Sequence, residues 1–219
     1  MGIEHCGSID GVAVVIDVLR AFSFAAYALD AGADRLILVE DLDEALRLAA
    51  EIPRALAGKD GVPAEGFDLF NSPGQLLERS DLGGRTIVHR TAAGTIGAVA
   101  ARHAQWLFCA SFVVAEATVD RIRRLDPDSV TFVVSGGGGH ADEDVACAEY
   151  LAARFGNDAV DPAPFLARVQ VAGQRLLRAV EMGYEGVHRD DLALCMDLDR
   201  FDFALTVVDH DGQLTLHKG

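Results

Sequence analysis

The sequence predicts an α/β protein of three layers, with helices on both faces of a mixed, mostly parallel sheet. Three observations point there. Short apolar, β-branched runs alternate with segments of helical bias almost to the end of the chain. These strand-like runs are apolar at consecutive positions, as strands covered on both faces are. The last apolar pair, Phe203–Val208 and Leu214–Leu216, flanks Asp211-Gly212 in the pattern of a hairpin, which mixes the sheet.

Taken in order, Val12-Ala-Val-Val-Ile16 is a buried strand, and small residues from Ala21 to Ala31 follow as a helix. Arg35–Glu40 is a second strand. Asp41 with Glu44 forms a capping-box start to a helix reaching Ile52. Gly58–Pro73 is a long Gly/Pro-rich excursion, and loops of that length in compact domains are often functional. Arg85–His89, Gln105–Cys109 and Val130–Val134 are further strands. The last runs into Gly136–Gly139 and a helix from about Ala141 to Phe155. One long helix is expected over Ala163–Met182, with apolar positions at Phe165, Leu166, Val169, Ala172, Leu176 and Val180. No linker or internal repeat divides residues 1–219, so one domain is expected.

The 219 residues carry a net charge of −15, and half are hydrophobic, with mean hydropathy +0.20. That field repels nucleic acid and anionic membranes, so neither is an expected partner. Apolar stretches fall short of the roughly 20 residues a membrane span needs, and because Ser8-Ile9-Asp10 interrupts the first apolar run no signal peptide is expected. The four cysteines are scattered without Cys-x-x-Cys, which suits free thiols in a reducing cytoplasm. A homodimer is a common state for a metabolic enzyme of this size. Apart from Lys59 and Lys218, the basic residues are arginines, the side chain that meets oxyanions with a planar fork.

Candidate chemistry gathers where strands end and helices begin, the usual ligand site of such sheets. Asp17 and Arg20 follow the first strand, a carboxylate and a guanidinium suited to a metal ion and a phosphate; the plainer reading is a helix cap beside a surface arginine. Asp60, Glu65, Asp68 and Asn71 place oxygen ligands in the long loop. Asn71-Ser72-Pro73 equally suits a helix start. Thr91-Ala-Ala-Gly94-Thr95 follows the Arg85 strand, where backbone N–H groups can cradle phosphate and His89 and Arg90 add positive charge; an ordinary turn is the alternative. The run Gly136–Gly139, with Gly137 a candidate substrate contact, permits close backbone approach to an anion. As a dinucleotide fingerprint it is weak, because no strand with a terminal acid follows. Asp142, Glu143 and Asp144 either favour the helix dipole or supply a metal carboxylate. No cysteine-phosphatase, nucleophile-elbow or Walker pattern occurs.

From Val12 to Leu151 the chain resembles the 2-phosphosulfolactate phosphatase family, magnesium-dependent enzymes of coenzyme M biosynthesis. Val15-Ile-Asp-Val-Leu-Arg-Ala21 is similar to the family's Asp-x-Leu-Arg-Ala-Ser-Thr-Thr, and Gly66-Phe-Asp-Leu-Phe-Asn-Ser-Pro73 to Gly-Phe-Asp-Leu-Gly-Asn-Ser-Pro. The resemblance implies an α/β/α fold, bound Mg²⁺ and hydrolysis of phosphate esters of 2-hydroxy acids. It implies catalytic roles for Asp17, Arg20, Asn71 and Thr95. Arg90, Gly94, Ser111 and Gly137 would contact a small anionic substrate, and Asp17 and Asp144 would hold the metal. Phe22-Ser23-Phe24 replaces Ser-Thr-Thr, Lys59-Asp60 replaces Glu-Arg, Ala92-Ala93 replaces Thr-Asn and Val113-Val114 stands where Leu-Asn is usual. A non-catalytic anion-binding relative on the same fold is therefore the second expectation, and an NAD-linked enzyme the third.

Overall fold

The computed structural model describes residues 1–136 and 141–219. Among them, nine strands form one sheet: β1 Val12–Ile16, β2 Arg35–Val39, β3 Leu56–Lys59, β4 Leu69–Phe70, β5 Thr86–Arg90, β6 Trp106–Ala110, β7 Val130–Val134, β8 Leu205–His210 and β9 Gln213–Lys218. The helices are α1 Ala21–Asp30, α2 Leu42–Glu51, α3 Pro73–Leu77, α4 Gly94–Ala100, α5 Ala115–Arg123, α6 Asp142–Gly156, α7 Ala163–Ala172, α8 Gln174–Glu181 and α9 Asp191–Cys195.

The strand order is β4-β3-β5-β2-β9-β8-β6-β1-β7. Pairing is parallel within β4-β3-β5-β2 and within β6-β1-β7. The β8–β9 hairpin joins these blocks through three successive antiparallel pairings, so it lies in the middle of the sheet and the blocks run in opposite directions. Residues after β1 and β5 nevertheless touch: a Cβ on Gly94 would lie 2.8 Å from Asp17 Oδ2. The sheet must therefore coil, as its accumulated twist allows.

Coiling explains α1. Every residue from Ala21 to Leu29 is buried, in a helix apolar all round, as an interior helix must be. Phe22, Phe24 and Leu29 join Val15, Leu36, Ile87, Cys109, Leu205 and Leu216 in the largest core cluster. On the opposite face, Val14, Ile16 and Phe108 pack with Val119, Ile122, Tyr150 and Val169 from α5, α6 and α7. Ile37, Val39 and Val88 pack with Ala45 and Leu48 from α2. Fully burying each large apolar side chain contributes about 1.5–3 kcal/mol, which fixes the strand register and hence the tips.

Two expected elements differ. The long helix over Ala163–Met182 divides at Gly173, whose ψ of −9° departs from the helical value and whose ideal Cβ would collide with Leu192 of α9. The Gly58–Pro73 excursion holds the end of β3 and all of β4, with Gly58 paired to Leu69 and Lys59 to Phe70. The α2 start is as expected, with Asp41 accepting from Glu44 N–H at 2.9 Å.

Candidate active site

Parallel register places Ser111, Asp17 and Ser135 side by side just beyond β6, β1 and β7. Asp17 N–H donates to Ala110 O, and Ser135 N–H to Ile16 O. Asp17 is buried, and its Oδ1 accepts from Ala21 N–H at 3.0 Å. Asp144, in the first turn of α6, folds back onto the same tip. Its Oδ1 accepts from Val18 N–H at 2.8 Å and its Oδ2 from Gly136 N–H at 3.3 Å. Glycine at 136 permits this, since a Cβ there would lie 3.0 Å from Asp144 Oδ2.

The electrostatics of this pair are unusual for aspartates. Burial pushes Asp17 up to about 6, with the charges of Asp60 and Glu143 adding to it against the Ala21 and Gly94 amides. Burial and then the charge of Asp17 push Asp144 well above the ordinary carboxylate range. Among the described residues neither has an ion-pair partner within 4.0 Å, whereas neighbouring Glu143 is paired with Arg175.

Arg20 precedes α1, but its guanidinium turns to the C-terminal part of the chain. Nη1 donates to Asp191 Oδ2 at 2.5 Å and Nη2 to Gly186 O at 2.9 Å. Asp191, wholly buried, also accepts from Ser72 Oγ, Gly74 N–H and His188 N–H.

The second row of tips comes from the other block. Register aligns Lys59 with Arg90 and with Phe70, so Asp60, Thr91 and Asn71 follow in line. Arg90 Nε donates to Glu40 O at 3.1 Å, and its Nη1 lies 3.7 Å from Asp60 Oδ1. Lys59 Nζ is buried against the carbonyls of Asp60 and Val62, each at 2.6 Å. Asn71 Oδ1 and Ser111 Oγ are buried without a hydrogen-bond partner among the described residues. Thr95 is otherwise engaged: its hydroxyl accepts from Thr91 N–H at 2.8 Å and its own N–H donates to Thr91 Oγ1 at 3.1 Å. That reciprocal turn presents Gly94, whose missing side chain lets α4 abut Asp17 and Ala21.

The structure thus unites Asp17, Asp144, Ser111 and Gly94 at one tip, sets Arg20 and Asn71 in loops that follow β1 and β4, and leaves Arg90 at the end of β5. Gly137 lies outside the described residues. Of the loop carboxylates, Asp60 accepts from Ala92 N–H and faces Arg90, and Asp68 accepts from Ala57 N–H. Asp191 is the residue that sequence reasoning missed. It stands 171 positions from Arg20 in an acidic pair, and no local spacing marks it.

Among the described residues no three His, Cys, Asp or Glu side chains gather as a metal site. The donor set that does exist, two buried unpaired carboxylates, fits a hard dication that takes one or two carboxylates and keeps its waters. No helix of the described residues is long and apolar enough to cross a membrane.

A family model described as 2-phosphosulpholactate phosphatase matches residues 2–210. A Bacillus subtilis protein named probable 2-phosphosulfolactate phosphatase is 33% identical over 152 residues, 68% of this chain and 66% of that protein. One of the same name from Carboxydothermus hydrogenoformans is 38% identical over 144 residues, 65% of this chain and 59% of its own length. The match thus spans less than two thirds of the length of each of these two relatives. A third, from Parasynechococcus marenigrum, is 33% identical over 220 residues, 89% of this chain and 88% of that protein.

Proposed function

Because this chain belongs to the 2-phosphosulfolactate phosphatase family, we propose that it is a Mg²⁺-dependent phosphomonoester hydrolase acting on phosphate esters of 2-hydroxy acids, 2-phosphosulfolactate among them. One observation supports this above the rest: Asp17 and Asp144, two buried aspartates without a cationic partner among the described residues, stand together at a strand tip. Buried charges are ordinarily paired or bind metal.

Asp17 and Asp144 would hold Mg²⁺, which supplies Lewis-acid polarisation of a phosphoryl oxygen and an activated water. The protein's own groups do the positioning that phosphoryl transfer mainly requires. Arginine carries five N–H donors, and the Arg20 contacts with Asp191 and Gly186 leave others for equatorial phosphate oxygens. Ser111 Oγ, without a hydrogen-bond partner among the described residues and level with Asp17 across β6 and β1, offers a hydroxyl to the same group. Arg90, on the facing row, binds the second acid of the substrate, carboxylate or sulfonate, and Asn71 orients the ester.

The test is phosphate release from 2-phosphosulfolactate and other 2-phospho acids with Mg²⁺ and with EDTA. Release that EDTA abolishes is expected, and Asp17→Asn or Arg20→Ala should each lower it about a hundredfold or more. Release indifferent to EDTA and to both substitutions overturns the reading. No release, with inorganic phosphate still raising the melting temperature, points to an anion-binding relative.

A further inference from the structure

Arg20 sits three residues after Asp17, close enough in the chain to turn towards that buried, unpaired carboxylate. Instead its guanidinium is held by Asp191 and the Gly186 carbonyl, with no ion pair to Asp17 within 4.0 Å. Asp191 is itself immobilised. Ser72 Oγ donates to it at 2.8 Å, Gly74 N–H at 2.9 Å and His188 N–H at 2.9 Å, so both carboxylate oxygens are fixed from two separate segments. A buried ion pair gives little net stability over an apolar replacement, so stability alone does not account for this construction.

We infer that Asp191 is a positioning residue that holds Arg20 away from Asp17 and aims its remaining N–H donors at a phosphate oxyanion. Two fixed contacts remove most of the rotamer freedom of a long side chain before any ligand arrives. They also leave Asp17 free of a cation. In this way the segment from Gly186 to Asp191 becomes part of the strand-tip site, although it joins neither row of tips. The inference rests on reading that tip as a phosphate site.

The test is a double-mutant cycle on the full chain, with inorganic phosphate titrated calorimetrically in magnesium buffer. Arg20→Ala and Asp191→Asn are each expected to weaken phosphate binding about tenfold, and the double variant no further than Arg20→Ala alone. A merely structural Asp191 would instead add its loss to that of Arg20→Ala. Unchanged affinity in Asp191→Asn, additive losses, or no phosphate binding by the unsubstituted protein each overturns the inference. If Asp191→Asn does not fold, Asp191→Glu keeps the charge but displaces it by one methylene, and it is expected to weaken binding likewise; full affinity there also overturns the inference. Ester hydrolysis is scored separately. Phosphate binding coupled through Arg20 without turnover would remove the phosphatase reading and leave this one standing.

Discussion

Asp144 accepts a hydrogen bond from the amide of Val18, the residue after Asp17, at 2.8 Å across 126 positions of sequence. That bond fixes two buried carboxylates at one strand tip, where burial and then the charge of Asp17 raise the pKa of Asp144. The arrangement opposes folding while both are charged, which is the usual character of a site built for a ligand.

The Asp17 pKa is about 6 in the folded protein against 3.8 as its ordinary value. With the folded value raised, its favourable contribution is complete below 3.8 and is lost as pH rises through 6. Above that the charged group costs up to about 3 kcal/mol, because each tenfold change in proton affinity is worth about 1.4 kcal/mol. Asp17→Asn should therefore raise the metal-free melting temperature at pH 8 but not at pH 3.5. It should also abolish the increase that magnesium gives the unsubstituted protein. Thermal melts at both pH values, with and without magnesium, check this; identical melting at pH 8 would refute it.

Gly94 marks where the opposing sheet blocks touch. A Cβ there would lie 2.7 Å from Ala21 Cβ and 3.1 Å from Asp17 Cβ, neither of which can rotate away, and 2.8 Å from Asp17 Oδ2, which must turn. Gly94→Ala should destabilise by about 1–3 kcal/mol, the usual cost of overpacking, and should lower kcat by displacing Asp17. Denaturant unfolding and steady-state kinetics on the same preparation measure both effects.

How much of this was legible depended on locality. Val12–Ile16 followed by Asp17 shows its strand and its tip residue within a few positions, and Asp41 with Glu44 shows its cap. Asp17 and Asp144 were each visible as acids at strand–helix junctions, and family resemblance linked them. Asp191 was not, because its partner is far away in sequence and its own neighbourhood is merely acidic. β3 and β4 were hidden because Gly58 and a two-residue strand carry no β-branched signal. The opposed directions of the two blocks come from the hairpin lying between them, a placement set by packing and not by periodicity. Thr95 was legible as a turn residue, but its use of both hydroxyl and amide on Thr91 required coordinates.

Among the described residues the Arg90 guanidinium makes polar contacts with Glu40 O and, more loosely, Asp60, so it retains donors for a remote acid group. An interaction with a non-reacting group binds ground and transition states alike. Arg90→Ala should raise KM for a 2-phospho acid about tenfold with kcat changed less than twofold. An equal fall in kcat would place Arg90 at the phosphoryl group instead.

His89 gives an acid-stability prediction independent of the site's activity. Its ring is fully buried, lies 4.8 Å from that of Phe24, and has no hydrogen-bond partner at either nitrogen among the described residues. Burial alone depresses its pKa from 6.5 to about 3. With the folded value lowered, the unfolded chain takes up a proton first as pH falls below 6.5, while the folded protein resists until pH 3. The stability present at neutral pH is therefore progressively lost across that window, by about 2–3 kcal/mol at pH 4.5. His89→Leu removes the titrating group and two unsatisfied polar atoms while keeping an apolar side chain against Phe24. It should be more stable at pH 7.5, by about 1 kcal/mol or more, and should lose less stability between pH 7.5 and 4.5. Carboxylates titrate in both proteins, so the difference between their urea-unfolding profiles isolates the imidazole. Parallel profiles across that range would mean that His89 finds a proton acceptor or solvent on acidification.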